Sequence, residues 1–298
     1  MKWLAGPVGG GWHDLAQGLA GIVNEEMPGV DIVVIGGGGS DNPRMIQNGE
    51  GQIGMSVDFL IAAAFRGQSP YGPVRMTNIN TLGRGWSPLP FHLLCAEGVP
   101  RDLREAIARP RLRIAVPPKD TSDELTFRRV MDFYRVSYEA IERNGGLVFH
   151  GSYDVIADAL RQGHVDYLFG ATTKPAKVIR SIGEGDRTIA LAAMPPDLMK
   201  HLADQYGYGT GIIAGDTYPK LQTGDIETTF MDTVLMISAD VVEDHAYRIA
   251  TILLKRHARL AAKHPCLASF DPRTAWRHAP APLHPGAERA YRDFGCFT

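Results

Sequence analysis

No long apolar run occurs in this 298-residue chain, and no window approaches the roughly 20 uninterrupted apolar residues of a membrane-crossing helix. Cysteine is scarce. Cys95, Cys266 and Cys296 lie far apart with no C-x-x-C, which argues against a disulfide framework or a cysteine zinc pair and leaves buried or idle thiols. Net charge is nearly absent as well, at -2, so no basic field recommends a nucleic acid or an anionic membrane as partner. Nor is there a helix-turn-helix segment or a basic stripe of the kind an effector-sensing DNA-binding protein carries.

Nucleotide and catalytic signatures are missing too. There is no G-x-x-x-x-G-K-[ST], and G-x-G-x-x-G fails because Gly36 and Gly38 are followed by Asp41, so neither ATP nor NAD is expected. Gly38-Gly39-Ser40-Asp41 ends in Asn42 and makes no nucleophile elbow; H-E-x-x-H is also absent. Among the ten histidines, His257, His264, His278 and His284 cluster late in the chain, yet their spacing matches no metal site. These absences predict no catalytic residues, no metal and no cofactor. The opening MKWLAGPVGGGWHDL has no apolar h-region or small-residue cleavage site, so no secretion signal is read there.

What is present is ordinary globular composition, 44% hydrophobic and 21% charged, enough for a sizeable core in one large domain or two lobes. Apolar strand-like runs alternate with segments of helical period, the pattern of an α/β protein with mainly parallel sheets. Strands are expected at 4–8, 30–35 and 52–57. Leu15, Leu19, Ile22, Val23 and Met27 mark a first helix, and Phe59 to Phe65 another. Asn42 followed by Pro43 reads as a helix cap and first position. The unit recurs: GGLVFHGSYDVIADALRQGHVDYLFG, residues 145–170, is again strand, small-polar loop, helix, glycine turn and strand.

Two extended segments, PFHLLCAEG and ETTFMDTVLMIS, are expected to connect the lobes. They divide the chain into 1–93 and 94–232, with 233–298 returning to the first lobe, and two crossings imply a hinge and a cleft. Ligands of open parallel sheets sit beyond the carboxyl ends of the strands. The loops 9–11, 36–42, 118–123, 150–154 and 170–173 all occupy that place. Glycines there allow close backbone approach, and helix N-termini favour a negative group, so a carboxylate or phosphate is the implied guest. Ser40 reads equally as a helix-start residue or a ligand contact, and His150 as an anion donor or an ordinary loop histidine. Arg84, with Trp86 close by, reads as a carboxylate clamp with an apolar cover or as a surface turn; Lys119 and Lys174 leave the same choice.

The glycine loop before the first helix, together with GGGGSDNPRMIQNGEGQIGMSVDFLIAAAFRG, GHVDYLFGATTKP, YGYGTGIIAGDTYPKLQTGDIETTFMDTVLM and PLHPGAERAYRDFG, resembles the TAXI family over nearly the whole chain. That family comprises the solute-binding subunits of TRAP (tripartite ATP-independent periplasmic) transporters. The resemblance implies a two-lobed type II periplasmic-binding fold, a periplasmic location, and delivery of a small organic acid to a TRAP permease. It maps the family's Gly-Gly-Ser loop onto Gly38, Gly39 and Ser40, and its second-lobe loop onto Gly170 to Pro175. One departure is Pro117-Pro118-Lys119-Asp120-Thr121-Ser122, where the family has a glycine-serine-glycine-threonine loop. The expected ligand-binding set is Gly10, Gly11, Trp12, Gly39, Ser40, Asp41, Asn42, Asp58 and Arg84, with Thr121, Ser122, His150, Phe169, Ala171 and Thr172 from the second lobe. The alternative is a cytoplasmic enzyme on the same bilobal fold acting on a carboxylated or phosphorylated metabolite.

Overall fold

The computed structural model describes every residue except Pro7, Gly9, Asp120 and Thr298. The chain first forms β1 (Lys2–Leu4), α1 (Gly11–Glu26), β2 (Val33–Ile35), α2 (Asn42–Gln47), β3 (Ile53–Val57), α3 (Asp58–Arg66) and β4 (Ile79–Ala96). There follow α4 (Leu103–Ala108), β5 (Arg113–Val116), α5 (Ser122–Phe133), α6 (Tyr138–Arg143), β6 (Leu147–His150), α7 (Tyr153–Arg161), β7 (Tyr167–Ala171), α8 (Lys177–Ile182), β8 (Ile189–Ala192) and α9 (Pro196–Tyr206). β9 (Gly209–Ile213), β10 (Ile226–Ser238), α10 (Glu243–Lys263) and α11 (Pro285–Asp293) complete it. Two compact units result, Met1–Pro88 with Asp232–Thr298, and Leu89–Met231; the chain passes from one to the other within β4 and again within β10.

In the first unit β1 lies between β2 and β3, parallel to both, and β10 runs antiparallel along β3. Alternation decides which side each residue serves. Leu235 and Ile237 of β10 join the core beneath α1 and α10, with Trp3, Leu15, Leu19 and Leu253. Val234 and Met236 join the opposite cluster, with Leu4, Ile46 and Ile61. Burial on both faces explains why these strands read as continuous apolar runs.

In the second unit β5 lies between β6 and β7, parallel to both, while β4 pairs antiparallel with β7 and β8. The order β6-β5-β7 repeats β2-β1-β3, so the sequence echo has a topological counterpart. Leu94, Ile156, Leu160, Leu168 and Ile179 pack one core. Phe169 stacks between Phe91, at 5.1 Å, and Phe127, at 5.4 Å.

Three boundaries differ from the sequence reading. β1 ends at Leu4, before Gly6, and Val8 is exposed. β2 starts only at Val33, because the Asn24 amide captures both the N–H and the carbonyl of Ile32 and keeps them off the sheet. β9 is the third: its alternating glycines carry little strand signal, and pairing with Ile226 to Phe230 of β10 makes it a strand.

Candidate functional site

Because β1, β2 and β3 run parallel, their carboxyl ends open on one edge of the first unit, and α1, α2 and α3 start there. Gly10 stands at the N-cap of α1, and among the described residues no side chain caps the first N–H groups of this 16-residue helix. After β2 the glycines meet different demands. A side chain at Gly37 would collide with the Asn42 amide and the Ala5 carbonyl, whereas one at Gly38 would meet open space. Asn42 is fully buried and is no helix cap. Its Nδ2 donates to the carbonyls of Met55 at 2.7 Å, Ala5 at 2.8 Å and Leu4 at 3.3 Å, and its Oδ1 accepts the Gly38 N–H. The N-cap position itself belongs to exposed Asp41.

Asn42 and Ser56 together present the rest of that loop. The Ser56 hydroxyl donates to the Gly39 carbonyl at 2.6 Å, which fixes the peptide direction. Among the described residues the N–H groups of Gly39 and Ser40 have no acceptor, and the Ser40 hydroxyl, on a residue only 8% exposed, has no partner either. Such groups are costly to bury unsatisfied.

Beside it lies a charged group of three. Arg84 of β4 reaches Asp58, the first residue of α3, at 3.3 Å and Asp232 of β10 at 2.9 Å. One guanidinium between two carboxylates leaves one negative charge. Burial, then repulsion from Asp232, pushes Asp58 up to about 6 against the pull of Arg84, and burial raises Asp232 as well. Trp12 Nε1 donates to Thr233 Oγ1 at 3.0 Å, linking the start of α1 to the residue after Asp232. Arg84, read from the sequence as a carboxylate clamp or a surface turn arginine, is thus engaged by the chain's own carboxylates. Trp86, expected beside it as a ligand cover, is 1% exposed and stacks on Phe270 at 4.0 Å.

The second unit uses its candidate residues internally. Thr121 caps α5, accepting from the Glu124 N–H, and donates to the Pro118 carbonyl; Ser122 Oγ lies 3.4 Å from Asp123 Oδ2. Buried Asp123 accepts the Ala171 N–H at 2.6 Å and the Tyr153 hydroxyl at 2.9 Å, and burial raises its carboxyl. Tyr153 also donates to the Ala171 carbonyl, and a side chain at Gly170 would strike that hydroxyl. The positive end of α5 therefore carries the chain's own carboxylate. Phe169, expected to line the site, is fully buried in the ring stack. His150 Nδ1 sits 3.1 Å from the Pro117 carbonyl, which can only accept, so Nδ1 donates there. Half-buried Thr172 directs its N–H at the Pro90 carbonyl from 3.4 Å, exposed Lys119 acts electrostatically on Glu139, and Lys174 donates to the Ile212 carbonyl. Gly9 and Asp120, named in the loop expectations, lie outside the described residues.

Sequence reasoning missed Asp232, Asp123 and Tyr153. The available signal for Asp232 was a lone carboxylate inside the apolar run TTFMDTVLM, which is rare without a partner. Among the described residues no group of three or more His, Cys, Asp or Glu side chains is placed to hold a metal ion, and no helix is long and apolar enough to cross a membrane.

A family model matches residues 3–295, nearly the whole chain, and its description is NMT1-like family. The chain belongs to the NMT1-like family. Similar solved structures include periplasmic binding protein BugD, at 11% identity and TM-score 0.59, covering 98% of this chain and 94% of that one. MatC from Rhodopseudomonas palustris with bound malate is similar at 15% identity and TM-score 0.57, over 99% and 97%. PhnD1 from Prochlorococcus marinus in complex with methylphosphonate gives 10%, 0.57, and 100% and 98%. No curated protein matches. At these identities the likeness concerns the fold: this NMT1-like chain has the two-lobed α/β fold of periplasmic binding proteins.

Proposed function

We propose that this NMT1-like protein is an extracytoplasmic solute-binding protein that captures a small organic acid and delivers it to a membrane permease. One observation carries the reading: at the carboxyl ends of parallel strands the Gly39 and Ser40 N–H groups and the buried Ser40 hydroxyl find no partner among the described residues, and α1 starts there without a side-chain cap. An acid group docked on the loop would meet the Gly39 and Ser40 donors, and the N-terminus of α1 favours a group of the same sign. Malate and methylphosphonate, bound by two proteins of this fold, are both anions. Assignment to the TAXI subunits of TRAP transporters, with a periplasmic location and a TRAP permease as partner, is part of this proposal and rests on the sequence motifs.

Purified protein, freed of carried-over ligand by unfolding and refolding, is expected to respond in a thermal-shift screen of malate, succinate, aspartate, glutamate and methylphosphonate. A ligand at about 100 times its dissociation constant adds roughly 2.7 kcal/mol. At this chain length that raises the midpoint by roughly 4–5 °C. No shift with any of these anions, or consumption of the one that binds, contradicts the reading.

A further inference from the structure

The first unit carries a groove of about 540 Å³, open to solvent, between the end of α3 and the loop that precedes α11. Both walls belong to that unit. α3 starts at the carboxyl end of β3 and its nine residues carry the chain about 12 Å along the helix axis, so Phe65 and Arg66 at its end stand well away from the strand-end loops. The groove is a separate place. Ala281 in its lining is buried and Phe65, Trp276 and Leu283 are half-buried, whereas Arg66, Arg75 and His278 are exposed, so the lining passes from apolar depth to a polar rim. Protein interfaces have that anatomy, with arginine and aromatic residues enriched.

No carboxylate lines the groove. Among the described residues the side chains of Arg66 and His278 make no hydrogen bond or ion pair, and Arg75 meets the Phe65 carbonyl at 3.1 Å and the Phe65 ring but no acid. The backbone at His278 is held in the left-handed region, at φ 54°, where glycine would sit more easily. The chain keeps an imidazole there nonetheless.

We propose that this groove is a docking surface for a short acidic segment of a partner protein, which lays an apolar side chain against Phe65 and Trp276 and sets carboxylates against Arg66, Arg75 and His278. Charge complementarity selects the sign of the segment. Openness selects a polypeptide, because sites for free small molecules enclose most of the ligand, whereas an extended segment needs a groove open along its length. A flat anionic membrane would touch the arginines and leave the apolar lining unfilled. The proposal does not depend on which solute the strand-end loops hold.

Selection of phage-displayed random twelve-residue peptides on the immobilised full chain tests it. The recovered sequences are expected to combine Asp or Glu with an aromatic or large aliphatic residue. A fluorescein-labelled copy of the commonest one is expected to bind Arg66→Glu/Arg75→Glu about five- to ten-fold more weakly than wild type, and to weaken on wild type as salt is added. His278→Gly removes the ring and relieves the left-handed backbone, so it is expected to lose about two- to three-fold in affinity with the unfolding midpoint unchanged or raised. Affinity lost without stability is the mark of a docking residue. Recovery of no peptide, recovery of neutral or basic peptides alone, or acidic peptides that bind both variants as tightly as wild type overturns the proposal. Co-sedimentation of wild type, but not of the arginine variant, with phosphatidylglycerol vesicles, in the absence of any peptide binding, assigns the groove to a lipid surface and also overturns it.

Discussion

Replacing Asn42 by alanine is expected to lower stability by about 3–4 kcal/mol, a fall of roughly 5–10 °C in midpoint for a chain of this size. The wild-type amide satisfies the carbonyls of Ala5 and Met55 and the Gly38 N–H, all in a fully buried position. Alanine leaves these groups without that partner, at about 1–3 kcal/mol for each that water cannot reach, and local relaxation recovers part of the sum. Asn42→Asp separates the contributions. Aspartate can still accept from Gly38 but cannot donate to the two carbonyls, so it is expected to be no better than alanine. Urea unfolding of both variants checks this, and an Asn42→Ala cost below about 1 kcal/mol would mean that the loop is held by its glycines alone.

Loss of the Arg84 guanidinium, as in Arg84→Met, is expected to cost about 3 kcal/mol at pH 8 and clearly less at pH 5. The sign follows from Asp58. Its folded value, about 6, lies above its ordinary value of 3.8, so the folded state holds a proton that the unfolded state releases between those limits. Stability contributed by that proton is present in acid and is lost as the pH rises through the window. Without Arg84 the two carboxylates repel with no cation between them, the folded values rise further, and the window extends upward. Unfolding curves of wild type and variant at pH 5 and pH 8 measure the difference. Equal losses at the two values would show that Arg84 contributes packing and not charge.

Much of the fold was legible because strands buried on both faces leave unbroken apolar runs, and helices such as α1 leave a clear 3.6-residue period. The segments PFHLLCAEG and ETTFMDTVLMIS were legible as extended for the same reason, but the chain leaves the first unit between Pro88 and Leu89, ahead of PFHLLCAEG, because β4 starts already at Ile79. Side-chain partners were not legible. Asn42 before Pro43 carries a cap signature, and only folding brings it against carbonyls 37 and 38 residues earlier in the chain. Arg84 and Asp58 could each be singled out, but Asp232 is 148 residues beyond Arg84 and strand pairing alone brings it there. Trp86 and Phe169 illustrate the converse: aromatic residues beside a loop read as ligand surface until the packing of Phe270 and Phe91 is known. At Thr121 the residue type suits a ligand and suits a helix cap equally well, and here its hydroxyl caps α5, while Ser122 donates to Asp123.

The central claim is that an acid group docks on the open donors of the first unit. A titration of ¹⁵N-labelled protein with aspartate, followed through its backbone amide resonances, tests it most directly. The account predicts saturable shifts concentrated at Gly39, Ser40, Gly11 and Trp12, accompanied by the Trp12 indole N–H. Saturable shifts confined to other parts of the chain, with these amides unmoved, would contradict it.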